Sequence, residues 1–314
     1  METHSPAAAP LHNPLAVIIL NMNGCDVLVD CLESIRKSRY TNFFTIVVDN
    51  ASTDNTVETL KRDFPEVEVI SLPQNLGFTG GNNKGMERAL QRGAGALLLL
   101  NNDTILHEDC LGEMMRCLDS APDIGAVTPK ILFHTHPDHI WCAGGAYSLW
   151  VGIARHYGLR DSKDDPRYAE EKDVGFATGC SLLVKREVAE KIGLLDDDLF
   201  IYNEDGDYSL RVRKAGYRIR YTPTSIMWHR EGWDSRRSSG QQRRLHLCTR
   251  NILRVHKKHR TPLQALTFYP WFTWRWVILA GGNAIARRDF DTFKGIIAGI
   301  KAYRKNETGP VINP

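Results

Sequence analysis

The feature that most constrains the fold of this chain is a regular alternation of short apolar runs with helical patterns. Four apolar runs recur about every 25 residues, as expected for buried strands. They are LAVIILN (15–21), FFTIVVDN (43–50), VEVISL (67–72) and GALLLLNND (95–103). Residues spaced for one helical face, such as Val27, Cys31 and Ile35, lie between the runs. This order predicts an α/β fold with a mostly parallel central sheet, right-handed crossovers and flanking helices.

Polar residues follow three of these four predicted strands. The stretches after the strands are Asn21–Asn23, Asp49–Asn50, Leu72–Asn75 and Asn101–Asp103. Asn and Asp are also common in turns, so one such stretch alone has an ordinary explanation. Ligands of parallel sheets, however, bind beyond the carboxyl ends of the strands. The set therefore predicts a binding site along one edge of the sheet.

A glycine-rich stretch, NLGFTGGNNKG (75–85), is predicted to be a loop that enters a helix ending near Arg92. It matches neither the G-x-G-x-x-G dinucleotide fingerprint nor a P-loop. Glycines let a backbone approach a ligand closely, and asparagine amides are suitable donors for a ribose or a diphosphate. The stretch alone is weak evidence for a nucleotide site.

Two acidic positions are candidates for chemistry. Asp103 at a strand end can hold a divalent ion, or it can cap the helix predicted over 107–119. A second helix is predicted from about residue 204 to 215, ended by Gly216. Glu204 at its start is explained by the helix dipole. Asp205 shares a face with apolar residues, so it is predicted to point inward, with a raised pKa, and to accept a proton.

The middle of the chain is less regular. GAVTPKILF (125–133) predicts a pair of strands, and the charged segment 159–173 predicts an exposed, mobile loop. A strand around Leu182 and a helix closed by Gly193 are predicted next. His229 lies just past a predicted strand. A lone histidine is more often structural than a metal ligand.

Charge and cysteine content narrow the function classes. No Asp or Glu occurs from Ser235 to Arg288, while that segment holds twelve Lys or Arg, so an anionic partner is expected there. The seven cysteines form no CxxC pair, which leaves a zinc ribbon or thioredoxin-like site unsupported and favours a reduced, cytosolic setting. Residues 1–13 lack the features of a secretory signal and are predicted to be a flexible tail.

The basic segment continues into TPLQALTFYPWFTWRWVILAGG (261–282). Pro270 is predicted to break this stretch and Arg275 interrupts it, so it is not a clean transmembrane helix. Trp271, Trp274 and Trp276 are typical of a membrane interface. An interfacial or re-entrant helical segment on an anionic membrane surface is one interpretation. The alternative is a set of helices packed on the catalytic domain.

Several motifs together resemble the family-2 glycosyltransferases, especially bacterial rhamnosyltransferase-like members. The matching stretches are VVDNASTD (47–54), NLGFTGGNNKG (75–85), LLLLNNDT (97–104), the long segment 175–217, and His229. They occur in the family's order and cover about residues 14–235. The resemblance implies a GT-A domain over 14–235, followed by a basic, aromatic, helical C-terminal region over 236–314.

The resemblance also implies roles for individual residues. Asp205 matches the catalytic base. Asp103 is the last position of a motif that in many relatives reads Asp-x-Asp, and with His229 it would bind Mg²⁺ or Mn²⁺. Asn101 stands at the first position of that motif here. Asp49 would contact the nucleotide base. The full set expected to bind the nucleotide sugar is Asn23, Asp49, Asn75, Gly77, Gly81, Asn82, Asn102, Asp103 and Glu204.

The expected function is inverting transfer of a sugar from dTDP-rhamnose or a UDP-sugar to a hydroxyl of a glycan or polyprenyl-diphosphate-linked acceptor. The protein is expected to be cytoplasmic and peripheral on the inner face of the cytoplasmic membrane, without a nucleic-acid partner. One alternative is a sugar-nucleotide nucleotidyltransferase, but NMNGCDV after the first strand lacks the expected basic residues. Another is a non-catalytic nucleotide-sugar-binding or anion-binding protein.

Overall fold

Four parallel strands form one half of a ten-stranded sheet, in the order β3-β2-β1-β4. The elements of this half are β1 (Leu15–Asn21), α1 (Cys25–Arg36), β2 (Phe43–Asp49), α2 (Thr56–Asp63), β3 (Glu68–Ser71), α3 (Gly77–Gln91) and β4 (Ala96–Asn101). This computed structural model describes residues 13–230 and 240–311. The predicted alternation of strands and helices is confirmed here.

The other half of the sheet is mixed. Its elements are β5 (Thr104–Leu106), α4 (Cys110–Asp119), β6 (Ile124–Phe133), β7 (Ile140–Cys142), β8 (Gly145–Ser148), β9 (Ile153–His156), β10 (Lys172–Val174), β11 (Ser181–Lys185), α5 (Arg186–Ile192), α6 (Glu204–Lys214) and β12 (Arg218–His229). The order continues β4-β11-β6-β12-β10. Strand β11 is antiparallel to both neighbours, whereas β6 and β12 are parallel. Strands β8 and β9 form a separate hairpin.

Strand β1 runs through the centre of the protein. Leu15, Val17 and Ile19 point into the apolar core on one face of the sheet, and Ala16 and Ile18 into the core on the other. All five are fully buried. Burying an aliphatic side chain contributes roughly 1.5–3 kcal/mol. The two cores thus fix the strand whose carboxyl end opens into the site.

Three local predictions were wrong. The stretch predicted as a strand pair belongs to one ten-residue buried strand, β6. Strand β5 directly follows Asp103 and pairs with β12, which delays α4 to Cys110. The segment 159–173 is not one loop, since it contains a 3₁₀ turn at Pro166–Tyr168 and the start of β10. Long-range pairing with β12 and β6, which no local pattern carries, accounts for the first two differences.

The glycine-rich stretch is also not a loop, because α3 begins at Gly77 and includes the following glycines. A Cβ atom on Gly81 would lie 2.3 Å from Cδ1 of Leu20, and one on Gly85 would lie 2.3 Å from Cγ2 of Ile18. These two glycines therefore let α3 pack tightly on β1. These glycines contact the sheet, whereas the sequence pattern suggested that they contact a ligand.

The C-terminal region is helical, as predicted. It comprises α7 (Gln241–His259), α8 (Pro262–Phe272), a π-helical segment (Thr273–Gly281), α9 (Gly282–Ala286) and α10 (Phe290–Arg304). Pro270 lies inside α8 and does not break it, contrary to the prediction, because the π-helical segment continues the same helical path. In the described parts of the chain, no helix is both long and apolar enough to cross a membrane. The predicted tail, apart from Asn13, and the predicted boundary at residue 235 lie outside the described residues.

Candidate active site

A cleft of about 440 Å³ opens where the parallel strands end. Asn50, Asn75, Gly77 and Asn102 line it from the sheet. Asn75 Oδ1 accepts hydrogen bonds from Asn50 Nδ2, at 2.9 Å, and from the Gly77 backbone N, at 2.7 Å. The carboxyl ends of the strands thus open into a cleft in which the amide groups of Asn50 and Asn75 hold each other in place.

The opposite wall of the cleft comes from residues that the sequence analysis did not predict individually. Phe200 and Tyr202 line it from the loop before α6, and Arg243 and Arg244 line it from α7. Phe200 and Tyr202 have positive φ angles of 64° and 75°. Aromatic residues rarely adopt such a conformation, and nothing in their spacing signals it. The two arginines add positive charge to a cleft whose other lining residues are uncharged.

Asp49, at the end of β2, is 3% exposed. Its Oδ2 accepts a hydrogen bond from the Ser52 backbone N at 3.3 Å. Its Oδ1 is buried and has no hydrogen-bond partner among residues 13–230 and 240–311. A buried acceptor without a partner is unfavourable unless a ligand supplies the donor. Nearby, Asn23 Oδ1 accepts from the Thr53 backbone N at 2.7 Å, which ties the loops after β1 and β2 together.

Asp103 and His229 form a pair where β4 and β12 end, with Asp103 Oδ1 and His229 Nε2 3.1 Å apart. Burial alone would raise the pKa of Asp103, but the hydrogen bond and charge of His229 hold it below its usual value. Burial would lower the pKa of His229, but Cys180 and Asp103 outweigh burial and raise it well above its usual value. The pair combines a carboxylate oxygen and an imidazole nitrogen, both common metal ligands.

Asp205 and Glu204 occupy the first turn of α6. Asp205 Oδ2 accepts from the Gly179 backbone N at 3.2 Å, and Oδ1 accepts from the Gly206 backbone N at 2.8 Å. Burial raises the pKa of Asp205. Burial and the charge of Asp205 raise the pKa of Glu204 to about 8. The inward orientation and raised pKa predicted for Asp205 agree with this geometry.

A short segment joins these two acidic centres. The Gly179 backbone N donates to Asp205, and the next residue, Cys180, has a side-chain hydrogen bond with His229. His229 in turn contacts Asp103. Asp103 and Asp205, which are far apart in the sequence, therefore face one region of the molecule. Neither Gly179 nor Cys180 was predicted, since their role depends on the position of β11 between β4 and β6.

Of the nine residues expected to bind the nucleotide sugar, three line the cleft and six do not. Two of these six pack within or beneath α3. Asn82 is 1% exposed, and its Nδ2 donates to the Phe78 carbonyl at 2.8 Å, one turn earlier in α3. Gly81 faces Leu20. Neither lines the cleft, whereas Asn75, Gly77 and Asn102 do. Packing of α3 on β1 explains why these small and polar residues occur there.

A separate group of potential metal ligands, His107, Glu108 and Asp109, lies at the surface. Arg39 forms ion pairs with both Glu108 and Asp109. These two carboxylates are thus partly neutralised by one cation of the chain itself. The group does not line the cleft.

The architecture and the cleft define a glycosyltransferase with a GT-A fold. Residues 16–193 match the Glycosyl transferase family 2, and the chain belongs to this family. The match ends before Asp205, so this carboxylate and the C-terminal helices lie beyond it.

Three bacterial proteins have similar sequences. The uncharacterized protein y4gI of Sinorhizobium fredii is 29% identical over 69% of this chain, which spans only 24% of its length. The dTDP-rhamnosyl transferase RfbF of Shigella flexneri is 23% identical, over 71% of this chain and 73% of its own. The N-acetylglucosaminyl-diphospho-decaprenol L-rhamnosyltransferase of Mycobacterium tuberculosis is 24% identical, over 65% of this chain and 70% of its own length.

A solved structure supports the fold. The mannosyltransferase PcManGT from Pyrobaculum calidifontis, in complex with GDP-Man and Mn²⁺, superimposes with a TM-score of 0.58. The alignment covers 95% of this chain and 89% of PcManGT, at 16% identity. It therefore extends over the C-terminal helices as well as the sheet.

Proposed function

We propose that this protein is an inverting transferase that moves a sugar from a nucleotide-diphosphate sugar to a hydroxyl group of a glycan or lipid-linked acceptor. The observation that carries this proposal is the arrangement of Asp205, joined through Gly179 and Cys180 to the pair Asp103 and His229. Such an arrangement can place a base on one side of the reacting carbon and a site for the leaving diphosphate on the other. The comparisons do not favour the nucleotidyltransferase or the non-catalytic alternative.

In this mechanism Asp205 accepts the proton of the acceptor hydroxyl as that oxygen attacks the anomeric carbon. The bond to the nucleoside diphosphate breaks on the opposite face, which inverts the configuration. The raised pKa of Asp205, caused by burial, makes its carboxylate a stronger base than an exposed aspartate. The unpartnered Asp49 Oδ1 is suited to accept a hydrogen bond from the nucleotide base.

Asp103 and His229 would hold a divalent cation, Mg²⁺ or Mn²⁺. The fit is supported by a carboxylate oxygen and an imidazole nitrogen that already lie 3.1 Å apart at the strand ends. When bound, the cation would neutralise charge that develops on the leaving diphosphate. Arg243 and Arg244 add positive charge to the cleft lined by Asn75 and Asn102.

The donor sugar is proposed to be rhamnose carried by dTDP, with a UDP-sugar as the second choice. The relative RfbF, named as a dTDP-rhamnosyl transferase, supports the first choice. The test is thermal stability of the protein with UDP-, dTDP- and GDP-sugars, with and without Mn²⁺. The donor that stabilises is then supplied with glycan and polyprenyl-diphosphate acceptors, and the configuration of the new linkage is read by NMR. Retention, or failure of every donor to bind, would refute the proposal.

The metal site gives a prediction for the same assay. The variant Asp103→Ala is expected to lose the part of the stabilisation that depends on Mn²⁺, about 5 °C at saturating donor. The reason is that a ligand to the cation is removed beside the diphosphate. Asp109→Ala is the matched control, since it removes a carboxylate from the surface group of potential ligands. If Asp109→Ala loses the Mn²⁺-dependent stabilisation and Asp103→Ala keeps it, Asp103 is not a ligand of the cation.

The acceptor is proposed to lie at an anionic membrane surface on the cytoplasmic side. Support comes from an apolar stripe on the C-terminal helices, formed by Leu263, Leu266, Trp274 and Ile278, each between 52% and 73% exposed. With exposed Pro270, positions 266, 270, 274 and 278 repeat every four residues, as on one helical face. Exposed basic residues accompany the stripe, among them Arg275, Arg287 and Arg288. This combination is typical of a helix that lies in a membrane interface.

The double variant Leu266→Glu/Ile278→Glu is expected to bind vesicles of phosphatidylglycerol at least about tenfold more weakly. The reason is that two apolar side chains that would enter the membrane interface become charged. Co-sedimentation measures the binding. Leu159→Glu, at an exposed apolar residue of the catalytic domain, is the control. Equal binding by the two variants, or none by the unmodified protein, would contradict the membrane proposal.

A further inference from the structure

Helix α7 buries two polar residues against the loop that leads into α6. Asn251 is fully buried, and its Nδ2 lies 2.8–2.9 Å from the carbonyl oxygens of Leu199, Ile201 and Tyr202. Its two N–H groups are shared among these three acceptors. Arg250, which is 1% exposed, donates to the Leu199 carbonyl at 3.1 Å.

The side chains of α7 are themselves held in position. Arg250 Nε donates to Asn251 Oδ1 at 2.9 Å, which fixes the orientation of the amide. Arg250 Nη1 donates to the Gly309 carbonyl at 2.8 Å, near the end of the described chain. The orientation that presents the Asn251 N–H groups to the loop is therefore determined by a buried network.

The loop held in this way is strained. Phe200, Tyr202 and Asn203 all have φ angles between 64° and 75°, in the left-handed region that non-glycine residues avoid. Such conformations persist only where the surrounding structure imposes them. Hydrogen bonds from α7 to three carbonyls of this loop supply that constraint, and the Thr79 backbone N adds one to the Phe200 carbonyl at 3.1 Å.

The loop connects both halves of the reaction site. Phe200 and Tyr202 line the cleft, and Asn203 is the N-cap residue of α6, directly before Glu204 and Asp205. A change in the loop backbone would therefore move the carboxylate of Asp205 relative to the strand ends. Displacement of a reacting group by an ångström is enough to cost a large factor in rate.

We propose that Asn251, supported by Arg250, is a positioning residue for Asp205: its amide fixes the loop that sets where the base lies. The assignment rests on the proposed function of Asp205. It makes α7, which lies beyond the matched family region, part of the catalytic unit.

The test compares two variants with a matched control. Asn251→Leu keeps the branching and the number of heavy atoms of the side chain and removes both donors. Asn251→Asp keeps an acceptor for Arg250 and places an oxygen where the amide donates. Thr249→Val is the control, because Thr249 is equally buried on α7 and packs against Gly299 of α10, away from the loop.

Both Asn251 variants are expected to lower kcat by about 30-fold or more at a temperature where they remain folded, while the Kd of the nucleoside diphosphate, whose cleft Phe200 and Tyr202 line, rises by a smaller factor. Thr249→Val is expected to keep kcat within about twofold. The proposal is overturned if a folded Asn251→Leu protein keeps the kcat of the unmodified protein. It is also overturned if Thr249→Val lowers kcat as much as the Asn251 variants do.

Amide hydrogen exchange provides a readout that does not depend on activity. Peptides that cover Leu199–Asn203 are expected to exchange faster in Asn251→Leu than in Thr249→Val, whereas β1 stays protected. Unchanged exchange in this loop would overturn the proposal even if activity fell. Absence of transfer by the unmodified protein would instead refute the proposed function and leave the exchange result intact.

Discussion

Replacing Asp205 with asparagine is expected to lower turnover by about 10²–10⁴-fold, the usual contribution of a general base. The asparagine Oδ1 can still accept the hydrogen bond from the Gly179 backbone, so the local structure is expected to persist. It cannot take up the proton of the acceptor hydroxyl. The Kd of the nucleotide sugar is expected to stay within about threefold, because Asp205 does not line the donor cleft.

The experiment measures initial rates and donor binding on the same preparations. Asp198→Asn is the matched control, since it removes one carboxylate from the same region of the chain where the side chain is 58% exposed. That variant is expected to keep full activity. Turnover by Asp205→Asn within about threefold of the unmodified protein would exclude Asp205 as the base.

A second large effect is expected at Asp207, which ties α6 to the end of α7. This carboxylate is fully buried and contacts Arg211 Nε at 2.8 Å, Lys258 Nζ at 2.8 Å and His259 Nε2 at 2.7 Å. Asp207→Asn removes the negative charge that these groups share. Breaking a buried ion pair typically costs about 3–5 kcal/mol, because the remaining charges lose their partner. Urea unfolding at neutral pH measures the loss.

The pH dependence gives an independent check on Asp207. Burial alone would raise its pKa, but His259, Arg211 and Lys258 lower it to about 2. A carboxyl whose folded-state pKa is depressed stabilises the protein above its ordinary pKa near 4. This contribution is lost as the pH falls from about 4 through 2. The stability difference between the unmodified protein and Asp207→Asn should therefore shrink below pH 4. A difference that is constant from pH 7 to pH 3 would contradict this linkage.

The sequence was sufficient where short-range pattern determines structure. The four parallel strands were predicted because apolar runs such as 15–21 alternate with helical spacing. Asp103 and Asp205 were predicted as a pair only through the resemblance, since nothing local indicates that positions so far apart meet. Their connection through Gly179 and Cys180 depends on where β11 inserts in the sheet.

Elsewhere the same residue types serve a different purpose than their local pattern indicated. Gly81 is needed for close packing on Leu20, which cannot be distinguished in sequence from a ligand-binding glycine. Pro270 was expected to end a helix, but the π-helical segment after it keeps the path continuous. In the sequence, Arg250 and Asn251 look like ordinary polar positions of a basic helix. The structure shows that both donate hydrogen bonds to the strained loop before α6.

The hydrogen bonds from Asn251 on α7 to the loop before α6 have a consequence for how this gene can evolve. A recombination breakpoint between codons 230 and 240 would look harmless, since it leaves the whole sheet on one side. It would nevertheless pair that sheet with a foreign helix that lacks the matching amide. Descendants of such an exchange would inherit a nucleotide pocket with a misplaced carboxylate, so the two segments are expected to be inherited together.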